Sequence, residues 1–290
     1  MSLIFRITQV GGLLILQQLK TLPPVRQLLH GLQIQKLRRE FRQKVSLCFE
    51  KSGFRIKTIE SVRELDQVMR LRYEVFHREY MNRKFPYGFD SDAFDMAADH
   101  LVIADPVQDR IVGTYRLIAS NYTQHFYSAT EFEIDSFLKL SGNKLEMSRA
   151  CIHRDYRKGV VMTLLWRGLI EYIQKIEAQY LFGCGSVKTL DAYDARLVAD
   201  YLAEKGHIAE DFQVHPIGIY RLDIEAATPG YTYHREAAKA LIPPLLSSYM
   251  RAGAKVCANP ALDRDFRCFD FFTALNMKEL TRSFDRKYNG

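Results

Sequence analysis

The hydrophobic residues of this chain change their spacing several times, and each spacing predicts a different element. From 161 to 176 they recur every three or four positions, which is typical of one apolar face of an α-helix. Runs of strand-forming character at 144–152 and 180–184 stand on either side of this segment. A strand, a helix and another strand in this order predict two parallel strands joined by a crossing helix.

Shorter elements are predicted around this unit. The segments 101–104 and 111–118 flank a turn that begins with Asp105 and Pro106, so they predict a β-hairpin. Apolar spacing also predicts strands at 54–59, 254–258 and 268–275, and helices at 62–80, 189–204 and 245–250. The polar, aromatic segment 122–137 follows neither spacing. The mixture places the chain in the α/β (α+β) class.

The first fifty residues differ in character from the rest. After a break at Pro23 and Pro24, apolar residues from Leu28 to Val45 alternate with lysines and arginines, which predicts a basic amphipathic helix. Such a helix could contact an anionic membrane surface or pack on the protein itself, and the sequence leaves both interpretations open. We therefore divide the chain into a helical extension, 1–50, and a domain, 51–290.

Composition and charge narrow the function classes. The 290 residues are 47% hydrophobic, which is enough for a substantial core, and the formal net charge of +7 favours acidic partners such as a carrier protein or anionic lipid. The uncharged stretch 7–19 is shorter than the roughly 18–20 apolar residues that cross a bilayer. No secretory cleavage site follows it, so a cytoplasmic protein is expected, either free or peripheral on the inner face of the membrane.

The five cysteines are scattered and form no Cys-x-x-Cys pair or Cys/His cluster, so we expect a reduced protein without a structural metal. Cys184 stands between two glycines at a strand end and is a conceivable nucleophile. A buried, unreactive thiol is the simpler interpretation. No glycine-rich phosphate loop of a nucleotide enzyme is present.

The most informative chemistry lies in three short motifs between residues 70 and 152. The first is an acidic run with three carboxylates, at Asp90, Asp92 and Asp95. The second and third carry arginines, at Arg116 in Gly-x-x-Arg-Leu and at Arg149 in Glu-x-Ser-Arg. Three close carboxylates repel one another and require a cationic partner or substrate nearby. This order of acids and arginines favours acyl transfer onto an amine.

The motifs resemble those of the GNAT superfamily of acyltransferases and, within it, the acyl-homoserine-lactone synthases. The matching positions are Arg72, Phe76, Asp90, Asp92, Asp95, Gly113, Arg116, Leu117, Glu146, Ser148 and Arg149. Asp90 stands where those synthases usually have glutamate, which is a small departure. The resemblance implies a GNAT-like fold, with a central mixed, splayed β-sheet flanked by helices.

Further motifs resemble the ornithine-lipid N-acyltransferases, over about residues 55–275. They include Phe94-Asp95-x-x-x-Asp99-His100-Leu101, Tyr156-Arg157-x-Gly159 and Phe182-Gly183-Cys184. This resemblance implies that a 3-hydroxyacyl group passes from acyl carrier protein to the α-amine of an amino acid, with ornithine as first choice. Glycine or another small amino acid, and an acyl-homoserine-lactone-type reaction, are alternatives.

The catalytic roles implied by this chemistry fall on two neighbouring strands. We expect Glu146 to take the proton from the attacking amine, directly or through water, with His100 as a rival base. A backbone N–H in the segment from Arg149 to Cys151 is expected to polarise the thioester carbonyl. Alternatively, Glu146 pairs with an arginine to hold the sheet. In an ideal strand Glu146 and Ser148 share one face, and a β-bulge would break that alternation.

Substrate contacts are predicted from the remaining motif residues. Arg116 would bind the acceptor's carboxylate, and Asp92 or Asp95 would pair with a second amine if the acceptor is ornithine. The other predicted acceptor-site residues are Arg72, Phe76, Asp90, Asp99 and Ser148. The aromatic residues Phe126, Tyr127, Phe132 and Phe137 are available for an acyl channel, although most are expected to be plain core.

The donor site is expected in the basic loop after the strand 144–152. GNAT enzymes usually hold the pyrophosphate of coenzyme A on a glycine-rich loop, but here Arg157-Lys158-Gly159-Val160 keeps only one displaced glycine. That departure favours acyl carrier protein as donor substrate, with no bound cofactor. The predicted donor-site residues are Cys151, Arg154, Arg157, Lys158 and Gly159.

A different class stays open beside these. A non-catalytic basic protein could bind an anionic membrane or nucleic acid through 36–44 and 153–158. Aromatic residues do not alternate with these bases as a nucleotide-stacking surface requires, so nucleic acid is not expected as a partner.

Overall fold

The computed structural model describes residues 23–84, 87–209, 212–281 and 284, with side chains from Gln27 onward. Its helices are α1 Pro23–Glu40, α2 Val62–Arg72, α3 Asp135–Leu138, α4 Val161–Ile176, α5 Ala192–Glu204, α6 Ile224–Ala227, α7 Arg235–Leu241 and α8 Pro244–Ala252. Its strands are β1 Cys48–Lys51, β2 Phe54–Thr58, β3 Asp99–Asp105, β4 Arg110–Ala119, β5 Phe132–Glu133, β6 Asn143–Ile152, β7 Ala178–Val187, β8 His215–Pro216, β9 Lys255–Val256, β10 Ala261–Asp263 and β11 Cys268–Asn276.

Most strands form one mixed sheet in the order β1-β2-β3-β4-β6-β7-β11-β10, and β9 also pairs with β11. Among the strands that the structure describes, β6 and β7 are the only parallel neighbours, and α4 connects them. The predicted crossing helix and the predicted β3–β4 hairpin are therefore confirmed. The segment that followed neither spacing contains the short strand β5, which pairs with β8, and the short helix α3.

Helix α4 covers one face of this sheet, as its apolar spacing predicted. Its buried residues include Leu165, Trp166 and Leu169. The helix backbone lies very close to the strands at Gly168, where an added Cβ would lie 2.6 Å from Ile56 and 2.9 Å from Leu101. The glycine is therefore required by close packing of helix against sheet.

The sheet opens between β6 and β7. These strands pair only along 143–146 and 178–182, and beyond that point they diverge. Gly183 lies where they separate, and a Cβ there would lie 2.3 Å from the carbonyl oxygen of Met147. On its other edge β6 carries the bulge that the sequence left open: Arg116 faces Ser148 and Thr114 faces Cys151, so two residues of β6 oppose one of β4. Within the bulge Arg149 has φ 51°, a left-handed conformation that non-glycine residues rarely adopt.

The N-terminal helix is shorter than predicted. Helix α1 ends at Glu40, so Phe41 and Val45 lie in the following loop and not on the helix. Near its end, Ile34 and Leu37 are buried against α2, whereas the leucines of its first turns are exposed, at Leu28, Leu29 and Leu32. The second half of the helix packs on the protein, and His30 in its first half hydrogen-bonds to Ser91, so packing leaves only the three exposed leucines unexplained among the described apolar side chains of the helix.

The division at residues 50 and 51 stays a prediction, and it falls inside the β1–β2 hairpin. Segment 7–19, which was predicted not to cross a membrane, lies outside the described residues. Among the helices that the structure describes, none has both the length and the apolar character to span a bilayer.

Candidate active site

A cavity of about 280 Å³ opens where β6 and β7 diverge. Its strand walls are Met147, Ser148, Arg149 and Ala150 of β6 and Cys184, Gly185 and Ser186 of β7. Its remaining lining comes from Phe76, Tyr80, Tyr115, Tyr127, Lys188, Pro243, Leu245, Leu246, Tyr249, Asp263, Phe266, Cys268 and Asp270. One side of the cavity is therefore apolar and aromatic, while acids from the last hairpin of the sheet stand on another.

The aromatic residues Phe76 and Tyr80 reach the cavity from an irregular helix. Residues Tyr73–Tyr80 continue α2 as a π-helix, which is wider than an α-helix and is frequent at functional sites. The sequence predicted helix as far as Tyr80 but gave no sign of this change. Two of the predicted acceptor-site residues, Phe76 and Ser148, line the cavity. Arg149, which was predicted as a catalytic residue, also lines it.

The three aspartates of the acidic run and three arginines form one buried group, which we call the arginine–aspartate network. It consists of Asp90, Asp92, Asp95, Arg72, Arg116 and Arg149. Arg72 pairs with Asp90 and Asp95 at 2.7 Å each. Arg116 and Arg149 share Asp92, at 2.5 and 3.1 Å. Three negative charges thus face three positive charges within the network.

The network keeps Asp90 and Asp95 ionised despite their burial. The arginines hold the pKa of Asp90 and of Asp95 below the usual value of 3.8, against the opposing effect of burial. Each carboxylate therefore already has a cationic partner. The prediction that Asp92 or Asp95 pairs with a second amine of the substrate is corrected, because arginines occupy that position.

The predicted substrate contacts of Arg116 and Asp99 are also corrected, because both side chains are buried away from the cavity. Arg116 is fully buried, donates from Nε to Ser148 Oγ at 2.8 Å and does not line the cavity, so it is not placed to bind an acceptor carboxylate. Asp99 accepts hydrogen bonds from the N–H groups of Lys44 and Val45, at 2.9 Å each, and from the Tyr172 hydroxyl. Arg72, Asp90, Asp95 and Asp99 all act inside the fold and not on the cavity.

Glu146 is placed as a structural anchor. Its carboxylate is fully buried, does not line the cavity, and accepts hydrogen bonds from the N–H groups of Tyr127 and Ser128 at 2.7 and 2.6 Å. The Ser128 hydroxyl donates a third. The predicted role as general base is corrected because the carboxylate is closed off by this turn. The alternative is also corrected in its partners, since the turn and not an arginine hydrogen-bonds to Glu146.

His100 does not fit the role of a rival base. It is fully buried on β3, opposite Arg116, and neither ring nitrogen makes a hydrogen bond. Burial lowers the pKa of His100 to about 3, so the ring is neutral at physiological pH. The ring does not line the cavity, so the structure offers it no substrate proton to take.

The remaining predictions concern thiols and aromatic residues. Cys184 lines the cavity, but burial raises the pKa of its thiol well above the usual value, which disfavours a nucleophilic thiolate. Cys151 is buried on β6 beyond the part that lines the cavity, and burial raises the pKa of its thiol to about 12. Among the aromatic residues proposed for an acyl channel, Tyr127 reaches the cavity. The other three, Phe126, Phe132 and Phe137, are buried core.

Four of the predicted donor residues, Arg154, Arg157, Lys158 and Gly159, come together in one exposed loop between β6 and α4, whereas Cys151 is buried on β6. Arg154 and Lys158 are exposed. Arg157 pairs with Glu79 at 2.7 Å and donates to the carbonyl of Ile152. Gly159 lies just before the first turn of α4, where N–H groups of the helix terminus attract anions.

A second acidic group was missed by sequence reasoning. We call it the cavity acid cluster and define it as Glu131, Asp263 and Asp270. Asp270 pairs in register with Ser186 of β7 and accepts a hydrogen bond from its hydroxyl. Asp263 faces Cys268 across the β10–β11 hairpin, and ligand atoms of Asp263, Cys268 and Asp270 lie within 4.8 Å of one another. Glu131 lies behind Cys184, whose Sγ is 3.7 Å from its Oε2.

The cavity acid cluster contains no cation. Within the described part of the chain, neither lysine nor arginine forms an ion pair with these three acids. Burial and the neighbouring acid raise the pKa of Glu131 to about 9, and burial also raises the pKa of Asp270. One sequence signal existed, because Asp270 interrupts an otherwise apolar strand, Cys-Phe-Asp-Phe-Phe.

A mixed sheet that opens between two parallel strands, next to a bulged strand, is the architecture that the GNAT resemblance implied. The model of the acetyltransferase (GNAT) domain matches residues 71–167. The L-ornithine Nα-acyltransferase of Rhizobium meliloti (strain 1021) is 30% identical over 237 residues, which cover 76% of this chain and 79% of the relative. The L-ornithine Nα-acyltransferase of Rhodobacter capsulatus is 29% identical over 247 residues, which cover 79% of this chain and 92% of the relative.

The chain therefore belongs to this family of GNAT N-acyltransferases. The predicted family, fold class and acyltransferase activity are confirmed, and the interpretation as a non-catalytic basic protein is set aside. Among solved structures, the chain is similar in fold to BjaI, a CoA-dependent acyl-homoserine lactone synthase solved with MTA. The match covers 78% of this chain and 81% of the BjaI chain, at 15% sequence identity and a TM-score of 0.45. The match to the acyl-homoserine lactone synthase LasI covers 84% of this chain and 95% of the LasI chain, at 13% sequence identity and a TM-score of 0.44.

Proposed function

We propose that this protein transfers a fatty acyl group, 3-hydroxylated as first choice, from acyl carrier protein to the α-amine of ornithine. The observation that carries the proposal is the cavity between β6 and β7, which has apolar walls for an acyl thioester and acids at its side. The names of the relatives support ornithine as acceptor. Glycine would leave the acids of the cavity without a partner, so it is the weaker candidate.

The chemistry requires a site for the thioester carbonyl and one for the acceptor. Attack of the amine on the carbonyl carbon places negative charge on oxygen, which backbone N–H groups of a bulge can stabilise. Collapse of this intermediate re-forms the carbonyl and breaks the C–S bond, so the phosphopantetheine thiolate of the carrier leaves and takes up the proton that the amine gives up. We assign this role to the bulge at Arg149 and Ala150, as the sequence motif suggested. Among the described residues that line the cavity, Arg149 and Lys188 carry positive charge and are available to the acceptor's carboxylate.

Acyl carrier protein as donor is supported by the basic loop that follows β6. Arg154 and Lys158 are exposed there, close in sequence to the cavity strand and to the start of α4. An acidic carrier protein and its phosphodiester would both be attracted to these charges. Substituting both by alanine should weaken use of acyl carrier protein and make the remaining activity less sensitive to added salt, while leaving acceptor affinity unchanged.

Contact with the inner face of the cytoplasmic membrane is a further part of the proposal. Leu28, Leu29 and Leu32 of α1 are exposed, and Leu28 and Leu32 border a groove that continues to the exposed Tyr87. Lys36 and Arg39 are exposed on the following turns. Exposed leucines followed by basic residues favour binding to an anionic bilayer, because the leucines enter the interface and the basic side chains contact the lipid headgroups.

The test is to incubate the purified protein with 3-hydroxyacyl carrier protein thioester and one amino acid at a time, and to weigh the products by mass spectrometry. We expect Nα-acylornithine as the main product, with much less acylglycine. Equal turnover with acyl-coenzyme A would contradict the donor assignment. Acylation of glycine in preference to ornithine would contradict the acceptor assignment.

A further inference from the structure

The cavity acid cluster has an unbalanced charge that the rest of the protein does not compensate. Glu131, Asp263 and Asp270 are all buried, and within the described residues no ion pair reaches them. An ionised carboxylate without a cation is costly in such a place, so the cluster holds a proton or binds a positive ligand. The raised pKa of Glu131, about 9, indicates that a proton occupies the cluster when no ligand is bound.

The hydrogen bonds of the cluster leave room for one more partner. Asp263 Oδ1 accepts from the N–H groups of Asp265 and Phe266, and Asp270 accepts from Ser186 and weakly from the Cys268 thiol. Glu131 is fully buried, and its carboxyl group hydrogen-bonds to that of Asp270, so one proton is shared between the two acids. The shared proton balances one of the charges, and the charge that remains on the cavity wall favours a positive ligand.

The cluster also stands at the right place relative to the rest of the cavity. Asp263 and Asp270 line the cavity directly, and Glu131 supports them from behind Cys184. The guanidinium of Arg149 lies 4.7 Å from the Phe266 ring, whose own backbone N–H binds Asp263. A positive group and the acids thus border one continuous space, which suits a ligand that carries both a carboxylate and an ammonium group.

We propose that Asp270 and Asp263, supported by Glu131, bind the side-chain ammonium of the acceptor and so select amino acids with a second amine. This inference rests on the proposed N-acylation of amino acids and names the residues that set its specificity. It moves the recognition of the second amine from Asp92 and Asp95, whose charges the arginines already balance, to a different part of the fold.

The test compares ornithine with norvaline, which has the same carbon chain without the second amine. Asp270→Asn keeps the size of the side chain and an acceptor for Ser186, but removes the charge. We expect this variant to lower the ratio of kcat/KM for ornithine to that for norvaline by about tenfold or more, because a charge-assisted hydrogen bond is lost. Asp263→Asn should shift the ratio in the same direction.

The matched control is Asp265→Asn, because Asp265 is an exposed acid in the same turn as Asp263. It should leave the ratio unchanged. An equal fall for both acceptors in a protein that keeps its thermal midpoint would overturn the inference, since that result describes a general base. An unchanged ratio in Asp270→Asn would overturn it as well.

Two further outcomes distinguish an ammonium site from a metal site and from a failure of the proposed function. If chelation of the wild-type protein abolishes transfer and one equivalent of zinc restores it, the group of Asp263, Cys268 and Asp270 is a metal site and the ammonium assignment is wrong. If the wild-type protein acylates no free amino acid, the proposed function itself fails. A wild-type protein that prefers ornithine, together with variants that keep this preference, would refute the ammonium site alone.

Discussion

Two groups of buried acids in this protein have opposite electrostatic surroundings. In the arginine–aspartate network three arginines balance three aspartates, and direct contacts of 2.5 to 3.4 Å join them. In the cavity acid cluster no described lysine or arginine pairs with Glu131, Asp263 or Asp270. The comparison shows that a run of acids in the sequence is no guide to ligand binding. What matters is whether the fold itself supplies the opposite charge.

The largest effect should follow from breaking the network. Arg72 is fully buried and pairs with both Asp90 and Asp95, so Arg72→Met leaves two buried carboxylates with fewer partners. Removing one partner of a buried ion pair costs about 3–5 kcal/mol. Urea unfolding should show a loss of this size. A variant as stable as the wild type would mean that the network does not hold the fold.

A smaller effect should follow from Glu146→Gln. The carboxylate accepts three hydrogen bonds from Tyr127 and Ser128, whereas an amide has one acceptor oxygen and a donor group that opposes these donors. Leaving buried partners unsatisfied costs about 1–3 kcal/mol in unfolding free energy. We expect reduced stability and a lower turnover with an unchanged pH profile. If the profile loses its acidic limb, which is the fall in activity at low pH, while stability stays the same, Glu146 is a base after all.

The two groups should also give opposite pH dependences of stability. The pKa of Asp90 and Asp95 is lowered in the folded state, so their contribution is present above the usual value of 3.8 and is lost as pH falls. Glu131 has a raised pKa, about 9 against 4.5, so the folded protein holds an extra proton between these values. Its contribution is therefore lost as pH rises from 4.5 towards 9.

Glu131→Gln isolates the contribution of Glu131 to this pH dependence. Thermal midpoints measured from pH 5 to pH 9 should fall less steeply in the variant than in the wild type, since the amide cannot ionise. Identical slopes would show that Glu131 is not protonated in the folded protein.

Much of the fold followed from local spacing. The apolar period of α4 and the Asp-Pro turn between β3 and β4 are local properties, and both predictions are confirmed. Helix α1 was predicted to extend to Val45 because apolar residues continue there. The chain leaves the helix at Glu40 to bring Phe41 and Val45 into the core, which is a tertiary effect.

The candidate site was harder to predict because depth and distant pairing decide it. Sequence chemistry correctly required cations beside Asp90, Asp92 and Asp95, but it could not tell whether they came from the protein or from the substrate. Alternation along β6 could not show that the 127–130 turn covers Glu146. Glu131 and Asp270 are far apart in sequence, and they meet only because β11 pairs with β7.

The most direct measurement is a crystal structure of the protein with ornithine bound. The account predicts that the side-chain ammonium lies within hydrogen-bonding distance of Asp270 and Asp263, with the α-amine directed to the opening between β6 and β7. An ammonium seated against Asp92 or Asp95, or an ornithine bound outside this cavity, would contradict it.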